Sequence, residues 1–180
     1  FKAKIESAGS LLTLISNVSN LPQSDNHYKI FNVEYSEYIK TEFDYIKYWD
    51  LSKENVFAFR SFFGLAIPFG NSNNIPFSRS YFSGGSNDNR AWQPYNLGPG
   101  SSGAVNDYNE ANMKLACSGE LRFKILGSLK GALFADAGNI WNVLDDVVDE
   151  KSTFKNWSDL QEIALGSGIG LRYDLSFFVV

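Results

Sequence analysis

The chain has 180 residues, of which 44% are apolar, and its 16 Lys+Arg against 20 Asp+Glu give a formal net charge of −4. A single cysteine, Cys117, and a single histidine, His27, exclude a disulfide framework and cysteine-based zinc sites, and make most metal and acyl-transfer enzymes poor candidates. The acidic balance predicts no nucleic-acid partner, and no apolar run approaches the ~18 residues of a transmembrane helix. A soluble domain and a membrane protein built from strands remain.

Alternation of apolar and polar residues is the main pattern along the chain. Because successive side chains of a strand face opposite sides, such alternation predicts strands with one apolar and one polar face. The fourth segment is an example, since it sets Leu115 and Leu121 against Lys114 and Glu120. In chain order the predicted strands cover residues 1–11, 39–45, 55–67, 113–125, 129–137 and 165–179.

Strand length and loop length favour a membrane. The longer runs last roughly 10–15 residues, whereas strands of soluble proteins cluster near 5–6 and a tilted spanning strand needs about 9–11. The connections alternate between long (16–33, 70–112, 139–164) and short (50–54, 127–128), which is typical of an up-and-down outer-membrane barrel. The alternative is a soluble sandwich or lipocalin-like barrel, whose apolar faces would point inward.

In a membrane barrel the apolar faces meet lipid and the charged faces line the lumen. The alternation therefore predicts lumen-facing Lys114, Glu120, Arg122, Asp136, Arg172 and Asp174, and lipid-facing Leu115, Leu121, Phe123, Leu171 and Leu175. About eight strands are needed for the smallest closed barrel. We therefore expect residues 1–180 to be part of a barrel in a longer chain.

The connection at about 70–112 is far longer than usual and is a candidate functional loop. It carries Gly84 and Gly85, followed by Arg90, Ala91 and Trp92. This stretch resembles the inward-folded loop of the BamA/TamA superfamily of outer-membrane assembly factors, in which a Gly-Gly pair precedes an Arg-Gly-aromatic element. Ala91 stands where that family usually has glycine.

Two further motifs follow in the order that this family has. Phe134, Asp136 and Gly138 match its Phe-x-Asp-x-Gly strand motif, and the segment GELRF at 119–123 is similar to the preceding strand's Glu-x-Arg element. The amino-acid sequence of the loop is most similar to that of Bacteroidetes members of the family. The resemblance implies that Arg90 folds into the lumen and pairs with acidic groups of the wall. Asp136 and Glu120 are the expected partners, because both fall on the charged faces of adjacent strands and a guanidinium can bond two carboxylates.

The resemblance implies the C-terminal portion of an all-β, antiparallel up-and-down transmembrane barrel in the outer membrane of a Gram-negative bacterium. Periplasmic domains and the remaining strands would lie outside these 180 residues. Such proteins fold, insert or translocate other outer-membrane proteins, are not enzymes, and use no nucleotide, metal or other cofactor. The implied partners are unfolded outer-membrane proteins, the lipid bilayer and accessory assembly subunits.

Two rival functions remain open. A passive porin or receptor barrel would lack the periplasmic domains. A barrel phospholipase would need a Ser-His pair on the wall, whereas His27 is predicted to lie in a loop.

Overall fold

A long antiparallel sheet dominates the computed structural model, which describes residues 1–19, 23–24, 27–103, 106, 108–147 and 149–173. The elements are β1 (Lys2–Ala8), α1 (Ser10–Val18), β2 (Gln23–Ser24), β3 (His27–Ile30), β4 (Val33–Glu34), β5 (Tyr38–Ser52), β6 (Asn55–Pro68), a 3₁₀ turn (Phe77–Arg79), β7 (Met113–Leu126), β8 (Leu129–Trp141), a second 3₁₀ turn (Trp157–Glu162) and β9 (Ala164–Tyr173).

The large sheet has the order β1-β5-β6-β7-β8-β9, and each strand is antiparallel to its neighbours. This confirms the predicted up-and-down topology. The short β5–β6 and β7–β8 turns lie at one end of the strands, and the three long connections lie at the other end. The small sheet β2-β3-β4 lies within the first long connection. None of the helices in the described part of the chain is long and apolar enough to cross a membrane.

The two faces of the sheet differ as the alternation predicts. Glu120 lies opposite Phe134, and Ser118 lies opposite Asp136, on the face that Arg90 of the long loop contacts. We call this the inner face. On the outer face of β9, Leu165, Ile169 and Leu171 are 76%, 82% and 70% exposed.

The other predicted lumen residues fall on the same inner face. Lys114, Arg122 and Arg172 all contact inner-face or loop carboxylates. The predictions for Asp174 and Leu175 lie outside the described residues.

A small core joins the inner face to the long loop. It consists of Ala66, Tyr81, Ala111 and Ile140, with Phe62 and Ile75 at its margin. The ring of Tyr81 lies directly over Gly64, where an added Cβ would be 2.5 Å from Tyr81 Cζ. The glycine therefore lets the loop lie flat on the wall.

Three predicted strand bounds are wrong. The first strand ends at Ala8 because Gly9 has φ +84°, and residues 10–18 then form α1. The second strand continues to Ser52. The prediction ended it at residue 45 because an apolar residue, Ile46, faces inward and a charged one, Lys47, faces outward, which interrupts the alternation. The fifth extends to Trp141 instead of residue 137. The sixth is described from Ala164 to Tyr173, and residues 174–179 of that prediction lie outside the described residues.

Candidate functional site

The long loop folds back onto itself before it reaches the wall. Tyr81 and Ala111 exchange backbone hydrogen bonds of 2.8 and 2.9 Å near the two ends of the loop. Further in, the Gly85 N–H donates to the Trp92 carbonyl at 2.8 Å and closes a tight turn around residues 86–91. This turn carries Arg90 to the inner face of the sheet.

The Gly-Gly pair makes this turn possible. Gly84 and Gly85 have φ of +99° and +103°, a backbone conformation that favours glycine. Asp88 holds the turn, since its Oδ2 accepts from the Gly84 N–H at 2.9 Å and from Lys114 Nζ at 2.8 Å. Asp88 was not among the predicted site residues, although its position three residues after a Gly-Gly pair is a signal in the sequence.

Arg90 makes five hydrogen bonds with side chains of the wall. Its Nε and Nη2 donate to the two oxygens of Asp136 at 2.8 and 2.7 Å. Its Nη1 donates to Glu120 Oε2 at 2.6 Å, and Nη2 also donates to Ser118 Oγ at 3.0 Å, while its backbone N–H reaches Asp136 Oδ2 at 3.1 Å. The guanidinium carbon lies 3.7 Å from the centre of the Phe134 ring. We call these five residues the Arg90 cluster.

The strand register explains how these partners meet. Ser118 and Asp136 face each other across β7 and β8, as do Glu120 and Phe134, so all four side chains project from one small area of the inner face. The Ser118 hydroxyl also donates to Asp136 Oδ1 at 2.7 Å. The predicted partners Asp136 and Glu120 are thus both brought to Arg90, and Ser118 is a further partner that was not predicted.

Water has little access to the Arg90 cluster. The side chain of Asp136 is 0% exposed, that of Glu120 is 7% exposed and that of Arg90 is 19% exposed. A carboxylate buried to this degree is costly without a charged partner, so Arg90 is strongly favoured in this position. Bidentate pairing with stacking on an aromatic face is a geometry that lysine cannot reproduce.

Glu120 is shared by three arginines. Arg122 Nε donates to its Oε1 at 2.8 Å, and Arg172 Nη2 donates to the same oxygen from β9. With Arg90 on Oε2, Glu120 of β7 connects the loop to β9, which lies on the far side of β8. The arrangement therefore holds the loop against the wall.

Glycines on β8 and β9 leave room for the loop and its partners. A Cβ at Gly166 would lie 2.8 Å from the Cβ of Ala91, and one at Gly168 would lie 2.6 Å from Phe134 Cζ. Gly138 accepts from Asn89 Nδ2 through its carbonyl at 3.1 Å. These glycines serve a close approach of loop and wall.

Ala91 fits at the position where the resembling family has glycine. The φ angle of Ala91 is not positive, so its side chain is accommodated without backbone strain. Its methyl group packs on Gly166 of β9. Trp92 is half-buried next to the same glycine.

The described residues contain no group of three or more His, Cys, Asp or Glu side chains able to hold a metal ion. His27 lies in β3, not in a loop as predicted, and its Nδ1 is 2.6 Å from Glu34 Oε1 of β4. It is therefore part of the small sheet in the first connection.

Comparison with known proteins identifies the same architecture. The Omp85 superfamily domain matches residues 13–179. Among solved structures, the chain is similar to the crystal structure of BamA from Haemophilus ducreyi lacking POTRA domains 1-3, with 20% identity and a TM-score of 0.59. The match covers 86% of this chain and 30% of that one, so the chain spans less than a third of the structure it matches. The six-stranded sheet corresponds in fold to part of that BamA chain.

Proposed function

This chain belongs to the Omp85 superfamily, and on that premise we propose that it is part of an outer-membrane β-barrel that assembles, inserts or translocates other outer-membrane proteins. The described part of the chain contributes the six strands of the large sheet and residues of the inner loop at about 70–112. Further strands close the barrel, because six are too few and an open edge in hydrocarbon leaves backbone groups unsatisfied. Periplasmic domains complete the protein.

The distribution of charge supports a location in the bacterial outer membrane. The outer face exposes apolar residues such as Ile169 and Leu171, whereas the charged residues of β7 to β9 lie on the inner face. An unpaired charge on the lipid side of a barrel costs roughly 2–4 kcal/mol at mid-depth. The sheet therefore suits a barrel wall with lipid outside and a wet lumen inside.

The observation that carries the proposal is the Arg90 cluster. It fixes a long loop inside the lumen through charge-assisted hydrogen bonds to β7 and β8, with β9 joined through Glu120. In the closed barrel a loop held on the inner face in this way narrows the lumen, whereas a passive pore requires an open path. The role of the cluster is to hold the barrel in a competent shape, which involves no group transfer, nucleotide, metal or other cofactor.

The partners follow from this function. They are unfolded outer-membrane proteins as substrates, the surrounding bilayer and accessory assembly subunits. The similarity of the loop to Bacteroidetes versions stays a prediction.

A reconstituted assembly assay tests the proposal. Full-length protein in phosphatidylethanolamine and phosphatidylglycerol vesicles is given a urea-denatured outer-membrane barrel protein without nucleotide, and the folded substrate is measured by its heat-modifiable gel mobility. We expect folding above the level of empty vesicles and a clear loss with Arg90→Ala.

Arg79→Ala is the matched control. Arg79 is an arginine of the same loop whose side chain is 51% exposed and reaches Glu6 only at 3.6 Å. A substrate yield equal to that of empty vesicles, together with ion conductance through the wild-type protein, would favour the porin or receptor alternative.

A further inference from the structure

Helix α1 (Ser10–Val18) has an inverted pattern of burial. Its polar stripe faces the protein, with Ser16 0% exposed and Thr13 half-buried. Its apolar stripe is exposed, with Leu11, Leu14, Ile15 and Val18 at 69%, 61%, 48% and 78%. These four positions follow the spacing i, i+3, i+4, i+7 of one helix face.

Hydrogen bonds fix this orientation. Thr13 Oγ1 donates to Glu37 Oε2 at 2.6 Å, and Tyr28 Oη donates to Asn17 Oδ1 at 2.6 Å. Glu37 is 3% exposed and also accepts from the Asn71 N–H at 3.0 Å. Because the polar stripe is held by these side chains, the apolar stripe points away from the connection.

The helix starts at the upper border of the apolar outer face. On β5 and β6 this face runs from the pair Trp49–Phe57 near the short turn to the pair Ile39–Ile67, ten residues along the strand, and includes one charged residue, Lys47, near the short turn. At ~3.3 Å per residue and a tilt of ~40°, that distance corresponds to about 25 Å of height, the thickness of the apolar band of an outer-membrane barrel. Ser7 pairs with Ile39, so α1 begins three residues beyond the border.

The outer surface of β1, β5 and β6 next to this border is largely apolar. Phe1 stacks on Phe43, which stacks on Phe63, each at 6.3 Å between ring centres. Ile5 of β1 is 73% exposed on the same face. The helix follows β1 after a single glycine and contains no charged residue.

From this we propose that α1 is an interfacial helix that inserts Leu11, Leu14, Ile15 and Val18 into the outer leaflet of the membrane around the barrel. Amphipathic helices lie in the membrane interface with the apolar face buried ~5–10 Å below the headgroups. Anchoring the connection in this way fixes the position of Glu37, and with it the start of the long loop at Asn71. The inference rests on the proposed outer-membrane location.

Site-directed spin labelling of the full-length protein tests this inference. Single cysteines are introduced in a Cys117→Ser background at Leu14 and Val18, at Ser10 as an exposed position of the polar stripe, and at Phe43 on the outer face of the sheet. In phosphatidylethanolamine and phosphatidylglycerol vesicles, power saturation compares collision with oxygen, which partitions into lipid, and with a water-soluble nickel chelate. We expect the oxygen-to-nickel ratio at Leu14 and Val18 to exceed that at Ser10 several-fold and to approach that at Phe43.

Three other outcomes would overturn the inference, each in a different way. A ratio at Leu14 and Val18 equal to that at Ser10 places the helix in water. Protection from both reagents at these positions indicates a protein partner instead of lipid. A water-like ratio at Phe43 as well contradicts the membrane location itself, and with it the proposed function.

Discussion

Replacing Arg90 by alanine is the most direct perturbation of the loop. The change removes the bidentate contact with Asp136, the bond to Glu120, the bond to Ser118 and the stacking on Phe134. It leaves the strands untouched, because the ladder between β7 and β8 uses backbone groups only.

The two carboxylates are affected unequally. Asp136 is fully buried and, among the described residues, keeps the Ser118 hydroxyl and the backbone N–H of residue 90 as partners. Glu120 keeps Arg122 and Arg172. The cost therefore falls mainly on Asp136. Breaking a buried pair costs ~3–5 kcal/mol, and the 19% exposure of Arg90 places this pair toward the lower end.

A cost of ~3 kcal/mol corresponds to roughly a hundred-fold increase in the equilibrium constant for release of the loop. Hydrogen exchange of the full-length protein measures this constant at the Gly85 and Trp92 amides, which are bonded within the turn. We expect their protection to fall by about this factor in Arg90→Ala. Amides in the β5–β6 ladder provide the internal control. The protection in Arg90→Lys should lie between that of the wild type and that of Arg90→Ala, because lysine keeps the charge and loses the bidentate contact of the guanidinium.

A double-mutant cycle tests the assignment of partners. Arg90 and Asp136 should show a coupling energy of ~2–3 kcal/mol, and Arg90 and Glu120 ~1 kcal/mol or less, because Glu120 retains two arginines. Additive effects of Arg90→Ala and Asp136→Ala, or an Arg90→Ala protein with unchanged exchange at the turn, would refute the reasoning.

Two further predictions concern the wall and the last long connection. Gly166→Val should displace the loop and lower the protection of its amides from hydrogen exchange, because the new Cβ would lie 2.8 Å from the Cβ of Ala91. Gly170→Val is the control and should have little effect in the same measurement, because its new Cβ would lie 3.7 Å from the nearest atom, the Cβ of Ala132. The pKa of Asp159 is lowered because its carboxylate accepts from the backbone N–H groups of Asn156 and Lys155. These two hydrogen bonds to the Asp159 carboxylate should therefore be fully present above the ordinary carboxyl pKa of about 4 and be lost as the pH falls through the lowered pKa. The pH dependence of the chemical shifts of the Lys155 and Asn156 amides checks this prediction. Asp159→Asn should abolish that pH dependence.

The alternation of residues by itself located the six strands of the large sheet and determined their two faces. The period of a strand is local, so Glu120 and Asp136 could be assigned to the inner face from their parity alone. The alternating loop lengths likewise determined which turns share an edge of the sheet. Where parity is interrupted, as at Ile46 and Lys47 of β5, the sequence pattern ended the strand too early.

Helix α1 shows a second limit of the sequence pattern. The strand period of the first segment runs on into residues that adopt a helix, because the break depends on the positive φ of Gly9. An added Cβ there would lie 2.5 Å from the Ser36 carbonyl oxygen, in a part of the chain distant in sequence. No local pattern contains that contact.

The prediction that Arg90 is the loop residue that meets the wall came from its motif, whereas only the tertiary structure decided how it is held. The contribution of Ser118 depends on the register between β7 and β8, and those of Arg172 and Gly166 depend on the placement of β9. Asp88 and Lys114 are far apart in the chain and meet only when the loop lies on the wall. Such contacts are set by non-local hydrogen bonding and by the space that glycines leave. For this reason the partners of Arg90 could be predicted from the sequence, whereas the full set of groups around them could not.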